Sequence, residues 1–157
     1  MWPFKKKPAP VKAPKTPRPI ENPVLETAMF RHRMTPSEQT VQDVAKALQS
    51  ATYLAPIKGD RIALAQDGNS TVIQPGSVIE FMLCLDTQGT SFIPVFTSWS
   101  ELRKWAGDNA EAWVQQPSEV WSRALNASTP MGVVINPANM PWTLGPEHIR
   151  NLIAESK

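Results

Sequence analysis

The sequence predicts an α+β domain: a mixed β-sheet with helices packed on it, forming a single compact unit behind a disordered N-terminal leader. Three observations carry this expectation. Helix starts marked by proline or capping residues recur at 22–23, 35–38, 98–101, 117 and 145–146. Short apolar segments bounded by turn residues fill the intervals between them, so that two helices precede several strands and helices then alternate with strands, the pattern of a mixed-sheet domain. Residues 1–20 hold six prolines and six basic residues but no acidic one. Prolines remove backbone donors and the lysines repel one another, so 1–20 is expected to be an extended, solvated leader and 21–157 the domain.

The helices are read from their first turns. Asn22-Pro23 opens one that runs to about Arg33, because proline at the first helical position loses no hydrogen bond and already has a suitable φ. Val24, Leu25, Ala28 and Met29 are its expected inner side. Thr35-Pro36-Ser37-Glu38 reads as a capping box for a helix ending near Ser50, with Val41, Val44, Ala45 and Leu48 as its buried stripe. Ser98-Trp-Ser-Glu101 reads as a second box, opening a short helix that stops before Gly107. Pro117 starts another, with Val120, Trp121, Ala124 and Leu125 inward. Gly145-Pro146 starts the last, carrying Ile149, Leu152 and Ile153.

Strands are expected at Thr52–Ile57, Ile62–Ala65, Ile79–Leu85, Thr90–Phe96, Ala112–Gln115, Gly132–Ile135 and Trp142–Leu144. Asp67-Gly68-Asn69 and Asn136-Pro137 read as turns, and Asp86-Thr-Gln-Gly89 as a hairpin loop in which Gly89 takes a positive φ. Pro94 cannot donate to a ladder, so its strand is expected to be an edge there, or to bulge.

Composition narrows the function classes. Apolar residues make up 41% and charged residues 19% of the chain, values of a globular protein. The formal net charge is +2, but the six basic residues all precede Glu21, leaving about −4 for the domain. A mildly acidic domain lacks the basic patch that nucleic acid requires, so no nucleic-acid partner is expected. The single cysteine, Cys84, lies in an apolar run and reads as a buried, inert thiol; it excludes an internal disulfide and a cysteine-based metal site. No apolar stretch approaches the roughly 18 residues that span a bilayer. Met1–Lys7 precedes no apolar segment of the kind a secretory signal contains, so the expected location is cytoplasmic.

Phe96-Thr-Ser-Trp-Ser-Glu-Leu-Arg-Lys-Trp105 resembles the "FTS, then helix, then W" signature of the SseB protein N-terminal domain. Asn22-Pro-Val-Leu25 is similar to that family's opening "NPxL", and Val134-Ile-Asn-Pro137 to its "viNP" segment. All three stand in the family's order, and the resemblance runs from about residue 21 to 155. It implies a compact bacterial domain with no established chemistry, catalytic residues or cofactor. Many members carry a second, C-terminal domain, which this chain is expected to lack.

The residues themselves nominate no catalytic site, metal site or cofactor. His32 and His148 stand far apart in sequence, neither in a spacing that puts two ligands on one helical face. Ser98 has a helix to cap. No glycine-rich phosphate loop is present. The expected binding constellation is Phe96, Thr97, Ser98 and Trp99 together with Asn136, Pro137 and Trp142, brought to one end of the sheet where unpaired backbone groups converge. The first expectation for it is a non-enzymatic protein-interaction module with an unidentified protein partner, anchored by an exposed tryptophan from among Trp99, Trp105, Trp113, Trp121 and Trp142. A small-molecule sensor or enzyme with a pocket near Phe96–Ser98 and Asn136–Pro137 is the alternative. In the leader, Trp2 and Phe4 suit insertion at headgroup level while Lys5, Lys6 and Lys7 face anionic lipid. That is a weak, reversible contact that would hold the protein peripherally at the inner membrane surface.

Overall fold

The computed structural model describes residues 20–58, 64–66, 71–73 and 80–156 of the chain. Residues 1–19 of the leader and the Asp67-Gly68-Asn69 turn lie outside the described residues, whereas Ile20 packs against the smaller of two cores and so belongs with the domain. Two helices come first, α1 (Pro23–Met34) and α2 (Glu38–Ser50), ahead of strands β1 (Tyr53–Lys58), β2 (Leu64–Gln66), β3 (Thr71–Ile73), β4 (Glu80–Phe81), β5 (Cys84–Leu85) and β6 (Ser91–Val95). Helix α3 (Trp99–Ala106), strand β7 (Glu111–Gln115), helix α4 (Pro117–Leu125), strands β8 (Gly132–Ile135) and β9 (Trp142–Leu144) and helix α5 (Pro146–Glu155) complete the α+β order.

Strands β4-β1-β7 form one antiparallel sheet and β5-β6-β8-β9 another, in which β6 and β8 run parallel; β2 and β3 pair as a separate hairpin. A single bridge joins the two larger sheets: Leu54 N–H donates to Phe96 O (3.0 Å) and Phe96 N–H to Leu54 O (2.9 Å). Successive residues along a strand face opposite sides, and this alternation creates two cores. Tyr53, Ile93, Val95, Val133 and Ile135 point into the main core beneath α1, α2, α4 and α5. Leu54 and Phe96 point the other way, where Leu102 of α3 closes a smaller core with Trp99 and Trp105 at its margin.

Pro94 shows how sequence and sheet agree. Asn136 N–H donates to Val95 O (2.9 Å), so Val95 turns its backbone groups toward β8. Alternation then turns those of Pro94 to the opposite side, between the Cys84–Phe92 pair and the Leu54–Phe96 bridge. The missing N–H falls where the ladder is already interrupted. Strand β6 is not an edge, but the break the proline demands is present. Gly89 (φ +85°) closes the β5–β6 hairpin as expected, and the Asp86 carboxylate accepts from the N–H groups of Gln88 (2.8 Å) and Thr90 (2.9 Å).

Several expectations change. The α2 box sits two residues later: Thr40 N–H donates to Ser37 Oγ (3.1 Å) and Ser37 N–H to Thr40 Oγ1 (2.8 Å). Thr35 cannot close the expected box, because the N–H that Glu38 would accept from is given to Arg31 O (2.8 Å) at the end of α1. Ser98 caps α3 by accepting from Glu101 N–H (3.2 Å), but the Glu101 carboxylate is drawn away to Lys104 and Asn139, so the box is one-sided. Val24 lies outside the inner face set by Leu25, Ala28 and Met29. In α2 the stripe is Val44, Ala47 and Leu48, while half-exposed Val41 lines a shallow depression with His32 and Pro36. The run Ile79–Leu85 is split into β4 on β1 and β5 on β6, because the two parent strands diverge there. Cys84 is accordingly only partly buried, and that burial pushes its thiol pKa upward. Strand β3 is too short for its period to show in sequence.

Candidate functional site

The parallel neighbours β6 and β8 end side by side, and the residues leaving their C-terminal ends form a polar junction. Asn136 adopts a left-handed φ of +54°, which asparagine tolerates better than most side-chain-bearing residues. That turn folds its amide back onto Thr97. Thr97 N–H donates to Asn136 Oδ1 (3.1 Å), and Asn136 Nδ2 donates to Thr97 Oγ1 (3.0 Å). The Thr97 hydroxyl in turn donates to Glu26 Oε2 of α1 (2.5 Å). Thr97 O accepts from Asn22 Nδ2 (2.8 Å), which also reaches Thr52 O (2.8 Å), while Asn22 Oδ1 accepts from Thr52 N–H (3.0 Å). Asn22, Thr97 and Asn136 are all buried, so each bond replaces one that water would otherwise supply.

Helix α1 lies across this end of the sheet. Glu26 meets Thr97, and less than two turns later His32 stacks edge-on to Trp142 (centroids 5.5 Å apart) while the Arg33 guanidinium sits over the same ring at 5.8 Å. Arg33 Nη2 donates to Met140 O and Pro141 O, tying the 136–141 turn to the helix. Trp142 pairs with Ile135 across β8–β9, one residue from Asn136. Phe96, Thr97, Asn136 and Trp142 are thus gathered at one sheet end. Phe96, Thr97 and Asn136 are buried, whereas Ser98, Trp99, Pro137 and Trp142 keep partial exposure. Trp99 flanks the smaller core and stacks with Arg103 at 5.6 Å.

Sequence reasoning named Asn22 and Glu101 only as helix-start residues and passed over Thr52, Glu26, Arg33 and Asn139 as members of a site. The signal at Asn22, an asparagine just before a helix-opening proline, points to a cap. Asn22 stands at the cap position but makes no cap hydrogen bond, spending its amide on the sheet instead. Glu101 Oε2 accepts from Asn139 Nδ2 (3.2 Å) and Lys104 Nζ (3.1 Å), and Oε1 is buried with no partner among the described residues.

The junction's hydrogen-bonding groups are consumed by one another, which suits holding elements together. His32 is bonded to Thr40 Oγ1 (2.8 Å), and His148 Nδ1 accepts from Gly145 N–H (3.3 Å) at the start of α5. Among the described residues no three of His, Cys, Asp or Glu converge as metal ligands, and no helix is long and apolar enough to cross a membrane. An open groove of about 1010 Å³ lies between α1 and α2, lined by Arg31, Asp43 and Lys46 and touching the junction only at Asn22.

No curated protein and no solved structure matches the chain. The family model of the SseB protein N-terminal domain matches residues 25–151, a stretch that holds the Thr97–Asn136 junction and both cores apart from their terminal members Ile20, Leu152 and Ile153. The chain therefore belongs to the SseB protein N-terminal domain family.

Proposed function

We propose that this SseB-type domain is a non-enzymatic protein-interaction module that presents the outward face of α1 to a protein partner. The observation that carries this reading is the pair Phe30 and Met34, one helical turn apart and 54% and 66% exposed. They lie on the side of α1 turned away from Leu25, Ala28 and Met29. Single exposed apolar residues are ordinary, but adjacent large ones on a helix fixed in place form the kind of anchor partners use. The Glu26–Thr97 and Arg33–Met140 bonds hold α1 at both ends, so binding would cost little ordering of that face. Half-buried Trp142, beside the last turn of α1, is the tryptophan best placed to extend it.

A tagged full-length chain and a Phe30→Ser, Met34→Ser variant test the reading by capture from native lysate. The expected result is a specific partner whose recovery falls at least tenfold with the variant, while the melting temperature shifts by no more than a few degrees. Undiminished recovery sinks the α1 face as the contact. A metabolite-dependent rise in melting temperature would instead support the sensor reading at Phe96–Ser98 and Asn136–Pro137.

A further inference from the structure

Among the described residues, strand β7 is the outer strand of its sheet, paired through its whole length with β1 on one side. The orientation of its backbone groups is fixed by β1. Leu54 exchanges both its hydrogen bonds with Phe96, and Pro56 O accepts from Met82 N–H (2.9 Å), so these two residues face away from β7. Tyr53, Ala55 and Ile57 therefore supply the bonds to β7, through their partners Gln115, Trp113 and Glu111. Ala112 and Val114, opposite Pro56 and Leu54, turn their N–H and C=O groups outward. That row is short and sharply bounded. Ala110 N–H is already given to Gly107 O (3.2 Å), and Gln116 N–H to Glu119 Oε1 (2.7 Å). Neither proline nor lysine guards the strand, and Trp113 and Val114 are 38% and 47% exposed on its two faces.

We propose that this edge is a homodimer contact, in which β7 pairs antiparallel with β7 of a second copy about a two-fold axis through Trp113. Only that two-fold register uses all the outward groups. Ala112 of each copy faces Val114 of the other as a hydrogen-bonded pair, giving four bonds across the axis. Shifting the register would bring Ala110 or Gln116 into the ladder, and their N–H groups are taken. The same register is complementary in side chains. Trp113 meets its own symmetry mate in a close non-hydrogen-bonded position, where aromatic pairs are favoured. Glu111, an exposed carboxylate at the start of the strand, comes opposite Gln115 of the second copy. Gln115 Oε1 accepts from Arg123 Nη2 (2.8 Å), so the arriving carboxylate lies on the same face as that guanidinium. Arg123 is partly exposed and stacked on the Phe81 ring (4.1 Å), which fixes its positive charge near the arriving carboxylate. Two symmetric Glu111–Arg123 encounters result, the self-complementarity that a two-fold interface requires. The contact is a single strand edge, so the dimer is weak and forms as concentration rises.

The dimer contact is independent of the α1 face, and its test leaves Phe30 and Met34 intact. Sedimentation equilibrium of the full chain from about 1 to 500 μM is expected to show a reversible monomer–dimer equilibrium. Val114→Pro removes an N–H that β1 does not use, so the variant should fold and remain monomeric across the range. Glu111→Lys sets two like charges together on each side of the axis and should raise the dimer Kd at least tenfold at low salt. A wild-type chain that stays monomeric at about 500 μM overturns the proposal, as does a dimer that tolerates both substitutions. If Val114→Pro fails to fold, Glu111→Lys decides alone: an unchanged Kd rejects the contact and a tenfold rise supports it. Dimers that persist in Phe30→Ser, Met34→Ser show that the two surfaces are separate.

Discussion

Tyr53, the only tyrosine of the chain, is fully buried at the start of β1 and donates its hydroxyl hydrogen to Leu48 O (2.8 Å). Burial disfavours the phenolate and pushes the group far above its ordinary value of about 10. The folded state keeps a proton that the unfolded state releases above about pH 10, so this contribution to stability is complete below that value and lost as pH rises beyond it. Arg123, which burial lowers to about 10, acts in the opposite sense over the same alkaline range. A spectroscopic titration therefore reads Tyr53 more cleanly than a denaturation midpoint. Absorbance at about 295 nm should stay flat past about pH 10.5 and rise only with loss of near-ultraviolet circular dichroism. A phenol that titrates normally while the tertiary signal persists would contradict the burial. A lone tyrosine in an apolar segment can be read as core from sequence; its acceptor, the Leu48 carbonyl at the end of α2, cannot, because only folding brings the two together.

At the scale of elements, the starts of helices were readable and their partners were not. Proline at the first position marks α1, α4 and α5 because it acts within one turn. The α2 cap was displaced because Thr35 was already engaged in ending α1, a competition between adjacent elements that a motif of four residues does not reveal. Asn22 is the clearest case of a residue acting between elements. It links the start of α1 to the start of β1 and the end of β6, and its loss would leave two carbonyls and one N–H of Thr52 and Thr97 unpaired. Asn22→Ala is expected to cost about 2 kcal/mol in urea unfolding. Asn139→Ala, an exposed control nearby, should stay within about 0.5 kcal/mol. Equal effects from the two would show that the buried junction contributes no more than the surface bond between Asn139 and Glu101.

For the whole molecule, the basic leader and the mildly acidic domain are separate charge systems, legible in the sequence because charge needs no fold to be counted. The proposed lipid contact belongs to the leader. A peptide of residues 1–20 should partition onto anionic vesicles at low salt and detach as salt rises. Equal partitioning by a Trp2→Ala, Phe4→Ala peptide would reject insertion of the two rings. The α+β class, five helices and most strand positions were set by patterns spanning a few to about a dozen residues: caps, turn residues and the alternation or helical spacing of apolar side chains. Those signals are local, so the sequence alone determined them. Which strands became neighbours, which face of α1 stayed uncovered, how Asn22, Thr97 and Asn136 came to satisfy one another and which edge of β7 was left open depended on contacts between distant residues. Folding settles these, because a hydrogen bond or an exposed face between such segments exists only once distant parts of the chain have met.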